Sequence, residues 1–127
     1  MYREFSAFEK EWMRTFAGDI SKEDIDRYVV QTGNYIWHVF SWELLPENSY
    51  LVEDAARAAF DAEDKTGAAY FEPFEEKKDA LALPPEQLTA ALLDERIECY
   101  VMGKGGAWSY IKTHEGDPLG PYFIKKR

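Results

Sequence analysis

The stretch whose reading decides the fold is residues 97–124, IECYVMGKGGAWSYIKTHEGDPLGPYFI. Two runs rich in β-branched and aromatic residues, 97–102 and 107–113, flank Gly103-Lys104-Gly105-Gly106. That is the composition of a β-hairpin, because glycine takes the positive φ values that tight turns demand. Side chains in a strand alternate with period two, so the parity of the loop decides which residues share a face. An even loop places Ile97, Cys99 and Val101 with Trp108 and Tyr110, and sets Glu98, Tyr100 and Met102 opposite Ser109, Ile111 and Thr113. It gathers most of the large apolar groups on one side, so it is the expected arrangement. His114-Glu115-Gly116-Asp117-Pro118 then turns the chain, and Gly120-Pro121 opens a last strand over 122–125. Pro121 has no N–H to donate, which predicts that this strand lies at a sheet edge.

Working outward, Pro84-Pro85 opens a helix running to about Glu95, with Leu88, Ala91 and Leu92 inward. A short strand is expected over 69–74, interrupted by Pro73, followed by a solvated charge run at 75–79. The preceding helix, 51–65, turns Ala55, Ala56, Ala59 and Phe60 inward and ends at Gly67; a loop occupies 44–50. Residues 35–42 alternate Tyr35, Trp37, Val39 and Ser41 against Ile36, His38, Phe40 and Trp42, both sets largely apolar, which predicts an inner strand covered on both faces. At the N-terminus, Phe5, Phe8, Trp12 and Phe16 recur at helical spacing, with Glu9 among the charged residues away from that stripe. Ser21 and Asp24 mark the capped start of a second helix, with Gly33 at its stop. The order ααβαβαβββ implies an α+β fold, a mainly antiparallel sheet of about four or five strands with helices packed against it. With 127 residues, one domain over 1–127 is expected.

Aromatic residues make up 16% of the chain, enough to anchor a core and to exclude a disordered linker. No apolar run approaches a membrane span, and the N-terminus has no signal-peptide centre, so the expected location is the cytoplasm, with no membrane partner. The net charge is −9 and uneven. Residues 1–96 hold 10 basic and 21 acidic groups, a net −11, whereas 97–127 carry a net +2. Such acidity repels phosphate backbones and argues against a nucleic-acid partner. It attracts a basic protein partner and also favours plain solubility. The single Cys99 cannot form an internal disulfide and reads as a buried, inert thiol.

The sequence holds no phosphate loop, dinucleotide fingerprint, HExxH or CxxC pair, so no cofactor is expected. His38 and His114 are the only side chains suited to act as a base near neutral pH. His114, Glu115 and Asp117 place three ligand-type groups in one turn, and His38 joins them if its strand is a neighbour, with Glu43 or Glu115 completing a metal or acid–base set. Set against that, His38 is an ordinary core histidine and His114 closes its turn by hydrogen bonding. Trp37, Trp42, Trp108 and Tyr110 suggest a ligand or partner surface, although aromatic stripes at strand spacing are ordinary sheet faces. The balance favours a non-enzymatic, acidic protein-binding domain. The alternative is a small hydrolase with a metal or acid–base site around His38, His114 and Glu115.

WSYIKTHE at 108–115, followed by GPYF at 120–123, resembles the C-terminal signature of domain-of-unknown-function family 4275, a group of small bacterial proteins. YIWHVFSW at 35–42 and DAARAAFDAEDK at 54–65 extend the resemblance over most of the chain. It implies a single intracellular bacterial domain. The family has no assigned activity, so the resemblance transfers no catalytic residue.

Overall fold

A computed structural model describes residues 6–73, 83–115 and 119–126. Phe5, the charge run at 75–79 and the 116–118 part of the last turn lie outside them. The chain divides into two compact units, Met1–Ser49 and Tyr50–Arg127.

In the first unit, α1 (Ala7–Phe16) begins with a capping box. The Ser6 hydroxyl accepts from the Glu9 N–H at 3.2 Å while the Glu9 carboxylate accepts from the Ser6 N–H at 3.0 Å. That reciprocal bond draws Glu9 into the interior, fully buried, rather than out with the other charged residues. Trp12 is the core of the unit, its ring 5.2 Å from Phe16 and 5.8 Å from Phe40. Ser21 caps α2 (Lys22–Ile25) as its sequence predicts, accepting from the Asp24 N–H. The helix then widens into a π-helical turn over Asp26–Val30 and stops at Gly33, where φ is 113°.

Residues 35–42 are not a strand. They form a turn and a short helix, α3 (His38–Ser41), in which Ile36, Trp37, Val39 and Phe40 are buried, and Ile36, Val39 and Phe40 follow the i, i+3, i+4 spacing of a helical stripe. The run is apolar almost throughout, so periods of two and of 3.6 both fit it.

The second unit carries a five-stranded, wholly antiparallel sheet in the order β1-β5-β4-β3-β2. Its strands are β1 (Tyr50–Val52), β2 (Ala69–Phe71), β3 (Cys99–Met102), β4 (Trp108–Lys112) and β5 (Tyr122–Lys125). The class is α+β as expected, with one strand moved from 35–42 to Tyr50–Val52. That move also corrects β5. It lies between β1 and β4 rather than at the edge, and Pro121 accepts the Glu53 N–H through its carbonyl at 2.9 Å.

The hairpin has the even register. Val101 pairs with Tyr110 and Tyr100 with Ile111, while the Gly103 N–H closes onto the Trp108 carbonyl at 2.8 Å. Gly103 is required here, because a Cβ would stand 2.4 Å from the Trp108 indole nitrogen. Cys99, Val101, Trp108, Tyr110 and Phe123 therefore share the face covered by α4 (Glu53–Ala62) and α5 (Ala90–Leu93). Phe60 of α4 stacks on Tyr110 at 4.2 Å, and Trp108 on Phe123 at 5.9 Å.

Ala56 and Phe60 are buried and Ala59 packs against the same core, but Ala55 faces solvent. The predicted 84–95 helix is broken. A 3₁₀ turn, Pro85–Gln87, ends at Leu88, and Thr89 caps α5 by accepting from the Leu92 N–H. The break changes the inward set to Leu88, Ala90 and Leu93, leaving Ala91 and Leu92 outside. No helix among the described residues is long and apolar enough to cross a membrane.

Candidate functional site

The strongest constellation of polar side chains lies where β3 begins and β4 ends. The register extends to set Glu98 across from Thr113, so the next residue, His114, reaches Glu98 from the end of its strand. Glu98 is fully buried. One carboxylate oxygen faces His114 Nδ1 at 2.7 Å and accepts the His114 backbone N–H at 3.3 Å, and the other accepts the Tyr100 hydroxyl. The opposite ring nitrogen, Nε2, lies 3.3 Å from the Glu115 carboxylate, and the imidazole side chain is 29% exposed. Thr113 holds the far side of the turn, its hydroxyl donating to the Leu119 carbonyl. A buried carboxylate demands hydrogen-bond donors, and this one finds them in a phenol, a backbone amide and an imidazole. The arrangement fixes the ring and leaves one nitrogen near the surface.

His38 is placed differently. In α3 its Nδ1 lies 2.6 Å from the Thr32 hydroxyl, and its ring packs edge-on against Trp37 at 4.4 Å and Tyr35 at 5.6 Å. The two histidines belong to different compact units and have their own partners, and Glu43 follows α3 in the first unit. Among the described residues, no three His, Cys, Asp or Glu side chains gather in a group that would hold a metal ion. Of the predicted residues, the structure brings together His114 and Glu115. Glu98, which sequence reasoning did not select, is the one that positions the ring. Its signal was a charged residue in an apolar strand, on the face already assigned to Thr113.

The four aromatic candidates divide. Trp37, Trp108 and Tyr110 are 3%, 3% and 0% exposed and serve the interior. Trp42 is 50% exposed and rests on Tyr28, ring centroids 5.4 Å apart and tilted by 38°. Its placement follows from how α3 ends. Glu43 N–H bonds the Phe40 carbonyl and Leu44 N–H bonds that of Val39, the paired bonds of a Schellman cap. Such a cap puts its next residue in the left-handed region, where glycine is favoured; here Glu43 occupies it, with φ 57°.

An open cavity of about 320 Å³ lies beside the hairpin turn, lined by Glu63, Asp64, Thr66, Lys104, Ala107 and Trp108. Asp64 is held below the ordinary carboxylate range, first by the Thr66 backbone N–H that it accepts at 3.0 Å. Cys99 is buried, and burial pushes its thiol up to about 12, with the Glu72 carboxylate adding to the shift. A thiol so placed is not a nucleophile near neutral pH.

No curated protein and no solved structure matches this chain. A family does match, over residues 2–123, and it covers the hairpin, α3 and α4. The chain belongs to the domain-of-unknown-function family DUF4275.

Proposed function

We propose that this protein is a non-enzymatic interaction domain of the bacterial cytoplasm, acidic at its surface, that binds a basic protein through the Trp42–Tyr28 pair. One observation carries the reading. Trp42 is the single aromatic among the large apolar side chains exposed in the described residues, and it rests against a second ring, that of Tyr28. Trp and Tyr dominate binding hot spots because they bring large area at little entropic cost. Glu43 supports the basic character of the partner. It is an exposed acidic residue next in sequence to Trp42, in a backbone conformation that glycine would adopt with less strain, and strained positions gather at functional sites.

The test is quantitative capture from bacterial lysate with wild-type protein and Trp42→Ala at low and at high salt. A protein retained at low salt by the wild type, and lost by a Trp42→Ala variant with unchanged melting temperature, is the expected result. Equal retention by both sinks the reading.

The acid–base alternative has one observation in its favour, the 2.7 Å contact that fixes His114 against Glu98. A hydrolytic activity abolished in His114→Asn, with the fold retained, would establish it in place of the binding role.

A further inference from the structure

We propose that the cavity beside the hairpin turn is a binding site for a small zwitterion, a free α-amino acid with an apolar side chain. The lining comes from the segment after α4 and from the hairpin turn, both within Tyr50–Arg127. Lys65 sets the first of these. Its ammonium donates to the Asp61 and Glu63 carbonyls at the end of α4 and lies 4.6 Å from the centroid of the Phe60 ring, and the residue is buried. With Lys65 turned inward, its neighbours Asp64 and Thr66 are exposed and line the cavity. The Thr66 N–H donates to Asp64 Oδ1 at 3.0 Å, which favours the ionised carboxylate.

The hairpin turn brings the cation. The stem of Lys104 lies over Gly67, where a Cβ would stand 3.2 Å from Lys104 Cδ and 3.4 Å from Cγ. Ala107 and the Trp108 indole supply the apolar part of the lining. Charge then selects the ligand. Glu63 is matched by Lys125 at 3.4 Å. Asp64 and Lys104 share the cavity, yet neither forms an ion pair with a described residue. A purely basic ligand is opposed by Lys104, and by Lys125 beside Glu63; a purely acidic one is opposed by Asp64 and Glu63. A ligand with one charge of each sign suits both. An α-amino acid carries those charges on a single carbon. Its ammonium donates to Asp64, its carboxylate accepts from Lys104, and its side chain lies on Trp108. The volume, about 320 Å³, is at the small end for ligand sites and suits an occupant of that size.

The site uses neither Trp42 nor Tyr28, so its test is independent of the interaction reading. The probe is L-leucine, titrated into the full chain and followed by NMR. Saturable shifts of the Thr66, Lys104 and Ala107 amides and of the Trp108 indole N–H are expected, half-complete below about 1 mM. Leucine methyl ester lacks the carboxylate and N-acetylleucine lacks the ammonium. Each should bind at least about tenfold more weakly, the loss of one charged hydrogen bond. Asp64→Asn keeps an oxygen for the Thr66 N–H, and Lys104→Met keeps a stem over Gly67. Both variants should lose a similar factor while their melting temperatures hold.

The proposal is overturned if L-leucine leaves these resonances in place, or if both variants bind it like the wild type. Equal binding of the ester would make the site one for a cation, and equal binding of N-acetylleucine one for an anion; either result sinks the zwitterion. Shifts gathered on Trp42 instead would also sink the cavity site. Lysate capture indifferent to Trp42→Ala, with L-leucine still bound beside Trp108, would remove the interaction reading and leave this site standing.

Discussion

Glu98 shows what a single residue decides in this protein. A buried carboxylate is tolerated only while donors surround it, and the His114 ring is a donor that a point substitution removes without touching β3. His114→Ala should cost about 1–2 kcal/mol, less than losing one member of a fully buried pair, since the imidazole is partly exposed and the Tyr100 hydroxyl and a backbone N–H remain. His114→Gln, which restores an N–H, should cost roughly half as much. Urea unfolding midpoints check this, and an alanine variant indistinguishable from wild type would mean that the ring does not hold the carboxylate. Alkaline pH probes other residues. Burial raises the Cys99 thiol from its ordinary 9.0 to about 12 and the Tyr122 hydroxyl from 10.0 to about 12, and it pushes Tyr70 and Tyr110 upward as well. These groups keep their protons longer in the folded chain than in the unfolded one. Their contribution is therefore complete below about pH 9 and falls as pH rises toward 12. Melting temperature should decline steadily across that window, and a flat profile to pH 11.5 would contradict the burial of these groups.

Elements were legible in the sequence wherever local chemistry left one solution. The hairpin was fixed by its glycines and by the gain from gathering Trp108 and Tyr110 with Cys99 and Val101. The Ser21 cap was equally clear. Two segments were not. In 35–42 nearly every side chain is apolar, so periodicity could not separate strand from helix, and the glutamate at position 43 disguised a cap that usually announces itself with glycine. In 84–95 the break depends on Thr89 choosing the N-cap role over continuing a helical turn, and the inward set changes with it. Strand order was hidden for a different reason. β1 joins β5 across about seventy residues of chain, and no local pattern reports such a pairing. The cap on α3 yields its own prediction. Glu43→Gly should raise stability by about 0.5–1 kcal/mol, the relief of a left-handed glutamate less the extra freedom of glycine in the unfolded chain. The same change should weaken retention of a basic partner. A variant that is less stable than wild type would show that the glutamate side chain, not the backbone, holds this corner.

At the scale of the whole molecule, the two compact units are built on different physics. Tyr50–Arg127 has a five-stranded sheet whose pairings run across the unit, with α4 and α5 closing one face over a continuous core. Met1–Ser49 has a ten-residue helix, α1, and otherwise four-residue helices, a π-helical turn and tight turns, arranged around Trp12, Val29, Ile36 and Phe40. Isolated helices shorter than about 12 residues are marginal in water, and chains near 40–60 residues bury too small a fraction of their surface for comfortable independence. The first unit has no disulfide to compensate, since the only cysteine is Cys99. We therefore expect residues 1–49 not to fold alone and the chain to behave as one cooperative domain over 1–127. A 1–49 fragment should show weak far-ultraviolet helicity and no sigmoidal thermal transition. In the full chain, helicity and the fluorescence of Trp12, Trp37, Trp42 and Trp108 should report a single coincident midpoint. Three of those tryptophans lie in the first unit and Trp108 in the second, so following the indole N–H resonance of Trp108 by NMR in the unaltered chain separates the signals. If its midpoint departs from that of the other three by more than the width of the transition, the units unfold independently and the single-domain expectation fails.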